Sequence, residues 1–391
     1  MIRATAAPLV FGAAVVVAAE FVVIGLIPAM TAELGLSPAQ AGSLITVFAL
    51  ASALLGPVLV AATARLPLAP VLAIALLPFA ANLLLLAMPS FSLAIVLRVL
   101  QGAALPLFMS LAGVVLGSAR GNGPGIALLY VGVTIGGTLA PPVGSFMAGQ
   151  LGWHAPMAAL GALALAGAAA CLTVLPDIRP GRSAAPWRLL ARPALRAHLL
   201  LSTLVFAAMF TGFSYIGLLL RHAGFDDRTV TLALFAFGIA GLGGNWLAGR
   251  LATRALPATA VSGLLTAAMA LGIAASPGPV VTGLAVALWG AAHAAGFVFC
   301  QVRVMDAAPD APGFAGSLNI SGANIGIALG SLIGGKAIEA GGVATAAMAG
   351  GLLALFAFGL TMLLRIRPVR RGRHLSSSVI GCAQAGHGEG D

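Results

Sequence analysis

Long apolar runs separated by short polar breaks fill this chain almost from end to end. Boundaries drawn where charges and turn residues gather give twelve runs, at 8–30, 40–62, 69–88, 91–116, 125–150, 154–176, 198–220, 229–250, 257–276, 279–302, 313–337 and 343–365. At about 1.5 Å of helical rise per residue, each is long enough to cross about 30 Å of hydrocarbon. Membrane β-strands would show as short alternating segments instead, and the sequence has none. The pattern predicts an all-α membrane protein of twelve transmembrane helices. The one long polar interruption divides it into a six-helix bundle over 1–176, a linker over 177–197 and a second bundle over 198–366. A tail, 367–391, is basic at first and then lacks any apolar period, and is expected to be disordered.

The two halves repeat. Gly132, Gly136 and Gly144 in the fifth run stand 190 residues before Gly322, Gly326 and Gly334 in the eleventh. ATARLP at 62–67 is echoed by ATRALP at 252–257, and Gln101-Gly102 by Trp289-Gly290. Six spans per half is an even number, so the halves enter the membrane in the same sense, as a parallel repeat about an axis along the membrane normal. Proteins built this way hold their cargo between the halves, near mid-membrane.

Charge changes the picture only through its placement. Charged residues make up 8% of the chain against 60% hydrophobic, which excludes a soluble fold. The net charge of +10 could suggest a nucleic-acid partner, but the arginines lie at one end of the spans. Arg3, Arg65, Arg120, the cluster from Arg179 to Arg196, Arg250, Arg254, Arg303 and the tail arginines share that end, while Arg221, Arg228 and Lys336 lie at the other. The positive-inside rule then places both termini and the linker in the cytoplasm. Membrane lipid is the expected surrounding, a monomer the expected state, and no nucleic acid is expected. The first run is too long for a signal peptide and reads as an uncleaved span. Cys171, Cys300 and Cys382 show neither a disulfide framework nor metal-ligand spacing.

Two runs carry a charge at depth: Glu20 in the first and Arg98 in the fourth. Ionisable groups in hydrocarbon are costly, and mark ion or substrate pathways. Counted from the ends of their runs, the two reach similar depth. Two readings stand: a carboxylate that exchanges protons and is tuned by its guanidinium neighbour, or a static ion pair that fixes helix packing. His293 could relay protons or bind substrate, or be a histidine satisfied by a carbonyl. Among the intramembrane amides Asn82, Gln101, Asn245, Gln301, Asn319 and Asn324, the residues Gln101, Asn319 and Asn324 are placed nearest a cavity. Phe206, Met209, Phe210 and Phe213, with Thr211, Ser214 and Tyr215 beside them, form a stripe that could line an amphiphilic cavity or pack against lipid. Of these, Phe210 and Tyr215 are taken as cavity candidates. The glycines of the fifth run, with Pro141-Pro142 expected to kink it, suit a span that rocks against a neighbour. No nucleotide-binding loop, zinc signature or nucleophile elbow is present, so neither an enzyme nor an ATP-driven pump is expected.

These residues together resemble the major facilitator superfamily, and within it the twelve-span drug:proton antiporter branch that includes bacterial arabinose, sugar and purine-nucleoside efflux proteins. AEFVVIGLIPAM at 19–30 is similar to that branch's first-span pattern, and maps its membrane glutamate onto Glu20. LRVLQGAALP at 97–106 resembles its RxxxG motif through Arg98 and Gly102. GVTIGGTLAPPVGSFMAG at 132–149 resembles its antiporter motif through Gly132, Gly136, Pro141, Pro142 and Gly144. GNWLAGRLATR at 244–254 and SLNISGANIGIALGSLIGG at 317–335 look like its second-half signatures. The loop after the second span departs from the pattern, keeping only Arg65, and Thr253 stands where an aspartate is usual beside Arg250 and Arg254. The resemblance implies that these three arginines belong to a cytoplasmic gate whose charge contacts are weakened or remade. Leu105 takes a position often held by histidine in the branch.

The expectation is therefore a proton-coupled efflux antiporter of a bacterial inner membrane, exporting a small organic molecule by alternating access. It would need no cofactor beyond the proton as coupling ion. An uptake symporter or facilitator of the same fold is the alternative; a sensor or scaffold would lack a reason for the buried carboxylate.

Overall fold

A computed structural model describes residues 2–36, 38–176, 186–275 and 278–366. The tail 367–391 with Cys382, and linker residues 177–185 with Arg179 and Arg182, fall outside the described residues. Among those described there are twelve helices long and apolar enough to cross a membrane, and no β-strand. They are α1 (Ile2–Leu34), α2 (Pro38–Thr63), α3 (Leu68–Ala80), α4 (Phe91–Arg120), α5 (Asn122–Leu151) and α6 (His154–Val174) in the first half. The second half holds α7 (Pro193–Phe213), α8 (Asp227–Arg250), α9 (Ala255–Ala274), α10 (Pro279–Asp306), α11 (Pro312–Gly341) and α12 (Val343–Ile366).

Most helices outrun the apolar windows that predict them, because hydropathy ends at the membrane surface whereas a helix ends where its backbone is capped. Gly121, Gly152 and Gly342 follow α4, α5 and α11 with φ of 86°, 86° and 85°, a conformation that costs glycine little. Ser90 caps the start of α4 by accepting from the Leu93 N–H at 3.2 Å. Asp226 caps α8 by accepting from the Thr229 backbone and hydroxyl, and those bonds hold its carboxyl below the usual carboxylate range. Two expected helices are broken. The third tightens into a 3-10 turn over Ala81–Leu86, and the seventh stops at Phe213 and resumes over Ile216–His222. α7 also begins at Pro193, inside the stretch expected to be linker. α5 runs as one helix through Pro141 and Pro142.

The repeat survives in the packing. α1 pairs most closely with α5 as α7 does with α11, and α2 with α4 as α8 with α10, while α3 packs on α6 as α9 packs on α12. Glycine makes the first of these contacts. A Cβ on Gly132 would meet the Val10 carbonyl, and one on Gly136 the Ala14 carbonyl; Gly25 of α1 returns the contact against the Pro141 carbonyl. In the second half, Gly326, Gly330 and Gly334 lie against the carbonyls of Thr203, Ala207 and Thr211. Backbones that close gain dispersion and Cα–H···O contact without any help from the hydrophobic effect, which lipid does not supply between helices. Likewise Gly102 rests on the Phe48 carbonyl and Gly290 on the Phe237 carbonyl, 188 and 189 residues apart respectively in the two halves.

The glycines of the antiporter-like motif thus fasten α5 to α1 inside one bundle. The neighbour they meet is α1, and they do not face the other half. The halves meet instead along α5 with α8 and α2 with α11. Replacing Gly136 by leucine, against a backbone carbonyl that cannot yield, should cost at least about 2 kcal/mol. Gly149→Ala has open space and should change stability by less than about 0.5 kcal/mol. Denaturation midpoints of the two purified variants in detergent check the contrast.

Candidate functional site

Arg98 is fully buried, and its guanidinium is held by backbone rather than by acid. Its Nη1 donates to the Ala19 carbonyl at 2.7 Å, Nη2 to the Glu20 carbonyl at 3.1 Å and Nε to the Leu44 carbonyl at 3.1 Å. The Phe48 ring lies 4.1 Å beneath it. A planar fork that reaches three carbonyls and an aromatic face is a task for arginine and not for lysine. The guanidinium so fastens α4 to α1 and α2, directly behind the residue whose side chain matters most.

That side chain is Glu20. Its side chain lines a cleft between the halves, and among the described residues no hydrogen bond or ion pair reaches its carboxylate. Of the two readings, the hydrogen-bonded static pair is not formed, since the Arg98 donors go to backbone carbonyls and the two charges act on each other through their field. The cleft is narrow, with a cavity volume of about 60 Å³. Glu20, Val17 and Phe21 of α1, Leu105 and Met109 of α4, and Tyr130 and Val133 of α5 line one side. Phe206 of α7, Phe297 of α10 and the α11 face from Asn319 through Asn324 to Ile327 line the other. Glu20 is the one carboxylate in the lining. The Asn319 amide donates to Gln301 Oε1 at 2.7 Å, while its own Oδ1 is buried without a partner.

The remaining candidates fall elsewhere. Gln101 does not line the cleft; it donates to Asn82 Oδ1 at 2.7 Å and to the Pro78 carbonyl at 3.3 Å, where α3 tightens after its proline. Tyr215 donates to the Ser331 carbonyl at 2.7 Å and bridges the break after α7 to α11. Phe210 sits behind the wall, with Phe206, Phe297 and His293 around it. His293 is enclosed by Phe210, Phe213, Phe237 and Phe297, with ring centroids between 4.5 and 5.5 Å, and its Nδ1 has no partner. It does not touch the cleft lining except through the Phe297 ring. Phe21, Tyr130 and Phe297 were not singled out from the sequence, because helix rotation is needed to tell a cleft aromatic from a lipid-facing one. Arg303 was read as a surface charge, yet it is buried and donates to His198 and Ser202 of α7.

The gate arginines do not bridge the halves. Arg65 and Arg254 are exposed with no hydrogen bond or ion pair among the described residues, and Arg250 lies over the Trp246 ring of its own helix at 3.8 Å. Among the described residues, hydrogen bonds join the halves from Asn122 to Asp306, from Asn245 to Tyr130 and Thr134, and from Asn324 to Ser52. By their positions along the helices, all lie between mid-membrane and the arginine-rich end. That end is the closed one.

A family model described as the Major Facilitator Superfamily matches residues 9–319. The chain belongs to that superfamily. Its members are transporters rather than enzymes, and this chain is a multi-pass membrane transporter of that family. It is 29% identical over 372 residues to the purine ribonucleoside efflux pump NepI of Salmonella typhimurium, covering 92% of this chain and 93% of that one. It is 28% identical to the inner membrane transport protein YdhP of Escherichia coli O157:H7, over 90% of this chain and 92% of that protein. The MFS-type transporter YfhI of Bacillus subtilis is 26% identical over 88% of this chain and 89% of its own length. Among solved structures, the human organic anion transporter MFSD10 superposes with a TM-score of 0.73 at 19% identity, covering 92% of this chain and 99% of that one. The transporter FucP in its outward conformation gives 0.69 at 16% identity, over 92% and 98%. These two similarities establish the twelve-helix fold.

The geometry separates the two buried charges by role. Arg98→Ala removes donors from three carbonyls and should destabilise the protein by about 2–4 kcal/mol. Glu20→Gln breaks no hydrogen bond and should leave the melting temperature within about 2 °C of the parent. Thermal unfolding of both variants in the same detergent reads the difference.

Proposed function

We propose that this transporter is a proton-coupled efflux antiporter of the cytoplasmic membrane, with Glu20 as the proton-exchanging group. The observation that carries the reading is the single carboxylate lining a cleft between the halves, free of hydrogen bonds while its guanidinium neighbour is fully engaged elsewhere. A carboxylate without fixed partners in a mid-membrane cleft is stabilised in its ionised form by water or by a substrate's donors, and in its neutral form by a proton. Substrate and proton then compete for one group, and competition at one site couples two gradients. With the arginine-rich end facing the cytoplasm, the conformation described is closed inward, so the cleft is the outward-facing one of an alternating pair.

The lining suits a small ring-bearing molecule. Phe21, Tyr130, Phe206 and Phe297 offer faces for stacking, and Glu20 with Asn319 Oδ1 offers acceptors for N–H or O–H groups. No lysine, arginine or histidine lines the cleft, so it offers no cationic partner to an acidic substrate. The relative whose name specifies purine ribonucleosides supports a nucleoside-like cargo, which would fit both the rings and the acceptors.

Reconstituted protein should drive purine ribonucleoside movement against its gradient when a pH gradient is imposed, and amino acids should not compete. Glu20→Gln should abolish that gradient-driven accumulation, lowering it by at least about a hundred-fold, while counterflow of unlabelled against labelled substrate continues. Undiminished pH-driven accumulation by the glutamine variant would remove Glu20 from the coupling step.

A further inference from the structure

The inter-half hydrogen bonds at mid-depth follow the internal repeat at Thr134 and Asn324, while their partners Asn245 and Ser52 lie one helical turn apart in it. Asn324 of α11 donates to Ser52 Oγ of α2 at 3.2 Å, and Asn245 of α8 donates to Thr134 Oγ1 and to the Tyr130 carbonyl of α5, each at 2.8 Å. Thr134 is the repeat mate of Asn324 at an offset of 190, and Ser52 that of Gly241 at 189. The α2–α11 and α5–α8 seams therefore carry hydrogen-bonding side chains at equivalent levels on both sides of the cleft. Ser52 and Asn245 are wholly buried and Asn324 is 7% exposed.

The α5–α8 seam is shaped to bring its groups together. Gly241 allows the Thr134 methyl close, Gly249 faces Ala127, and Gly238 and Gly123 admit Thr138 and Ala252. Among the described residues no hydrogen bond from a charged side chain joins the halves at this depth; a further inter-half bond, Asn122 to Asp306 at 2.7 Å, is exposed at the arginine-rich rim. Arg65, Arg250 and Arg254, which were expected to close that end, make no bond across it.

We propose that these two neutral hydrogen-bond latches, Asn324 with Ser52 and Asn245 with Thr134 and Tyr130, hold the arginine-rich end shut in place of a charged gate. Both latches touch the cleft, since Asn324 and Tyr130 are among its lining residues. Asn324 shares its Nδ2 between Ser52 and its own Ile320 carbonyl at 3.0 Å, so an acceptor on a molecule in the cleft competes for the hydrogen that closes the seam. Asn324 and Asn245 are accordingly positioning residues, which act on the equilibrium between the two access states. The proposal rests on the alternating-access reading and adds to it what sets the balance.

Spin labels at Leu66→Cys and Thr253→Cys, both exposed at the arginine-rich end on opposite halves, report that balance as a distance distribution. The full-length protein in lipid nanodiscs, with Cys382 replaced, should show mainly the short distance. Ser52→Ala combined with Asn245→Ala should raise the ratio of long to short distances roughly twenty-fold, the effect of losing three membrane-buried hydrogen bonds. Thr134→Val, which keeps shape and removes one acceptor, should give a smaller rise, and Ser52→Thr, which keeps the hydroxyl, should match the parent. Adding Asn324→Leu to Ser52→Ala should add little, because both break the same bond. Unchanged distances in monodisperse Thr134→Val and in the double alanine variant would overturn the latches. If those variants still transport, alternating access survives and only the neutral gate is lost.

Discussion

A charge half-way across a membrane must be solvated by protein, and the way Arg98 meets that demand decides what Glu20 can do. A guanidinium carries five N–H donors, and here three bonds go to backbone carbonyls of α1 and α2 while its carbon lies over an aromatic ring. Had the fork closed on the Glu20 carboxylate, the pair would have been a static brace, costly to break. Because the fork closes on the backbone, the positive charge is settled without the acid. The carboxylate keeps the nearby field and loses the bond, and so remains free to exchange partners in the cleft.

The same division between fixed and free runs through the architecture. Within each half, glycine faces bring α1 onto α5 and α7 onto α11 until backbones touch, and such contacts have no intermediate setting. Between the halves, the seams carry few hydrogen bonds, drawn from asparagine, serine, threonine and one exposed aspartate. Bundles that are stiff inside and lightly joined to each other move as bodies, as rigid-body transitions require. The glycines conserve the shape of each body, and the asparagines bear on how the bodies sit together.

Much of this was legible in the sequence because the membrane simplifies the code. Hydropathy counts spans, and the glycine offset of 190 exposes the repeat. Glu20 and Arg98 stand out because lipid makes any charge conspicuous. Side-chain direction was not legible. Gln101 and Asn319 are both buried amides in repeat-rich spans, yet one braces α3 and the other lines the cleft, a difference of helix rotation alone. At the gate positions the sequence already showed charge contacts weakened or remade, and Arg65 and Arg254 are exposed. Arg303 misled, since three residues from a helix end is close enough to the surface to look exposed and deep enough to be buried by α7.

The central claim is that the Glu20 carboxyl changes its protonation when the cleft changes its state. Infrared difference spectroscopy tests it most directly, by following the carbonyl stretch of a protonated carboxyl that disappears in Glu20→Gln. That band should grow as pH falls and should diminish when a transported nucleoside fills the cleft at constant pH. A Glu20 band that is the same at every pH, with the cleft empty or filled, would contradict the account.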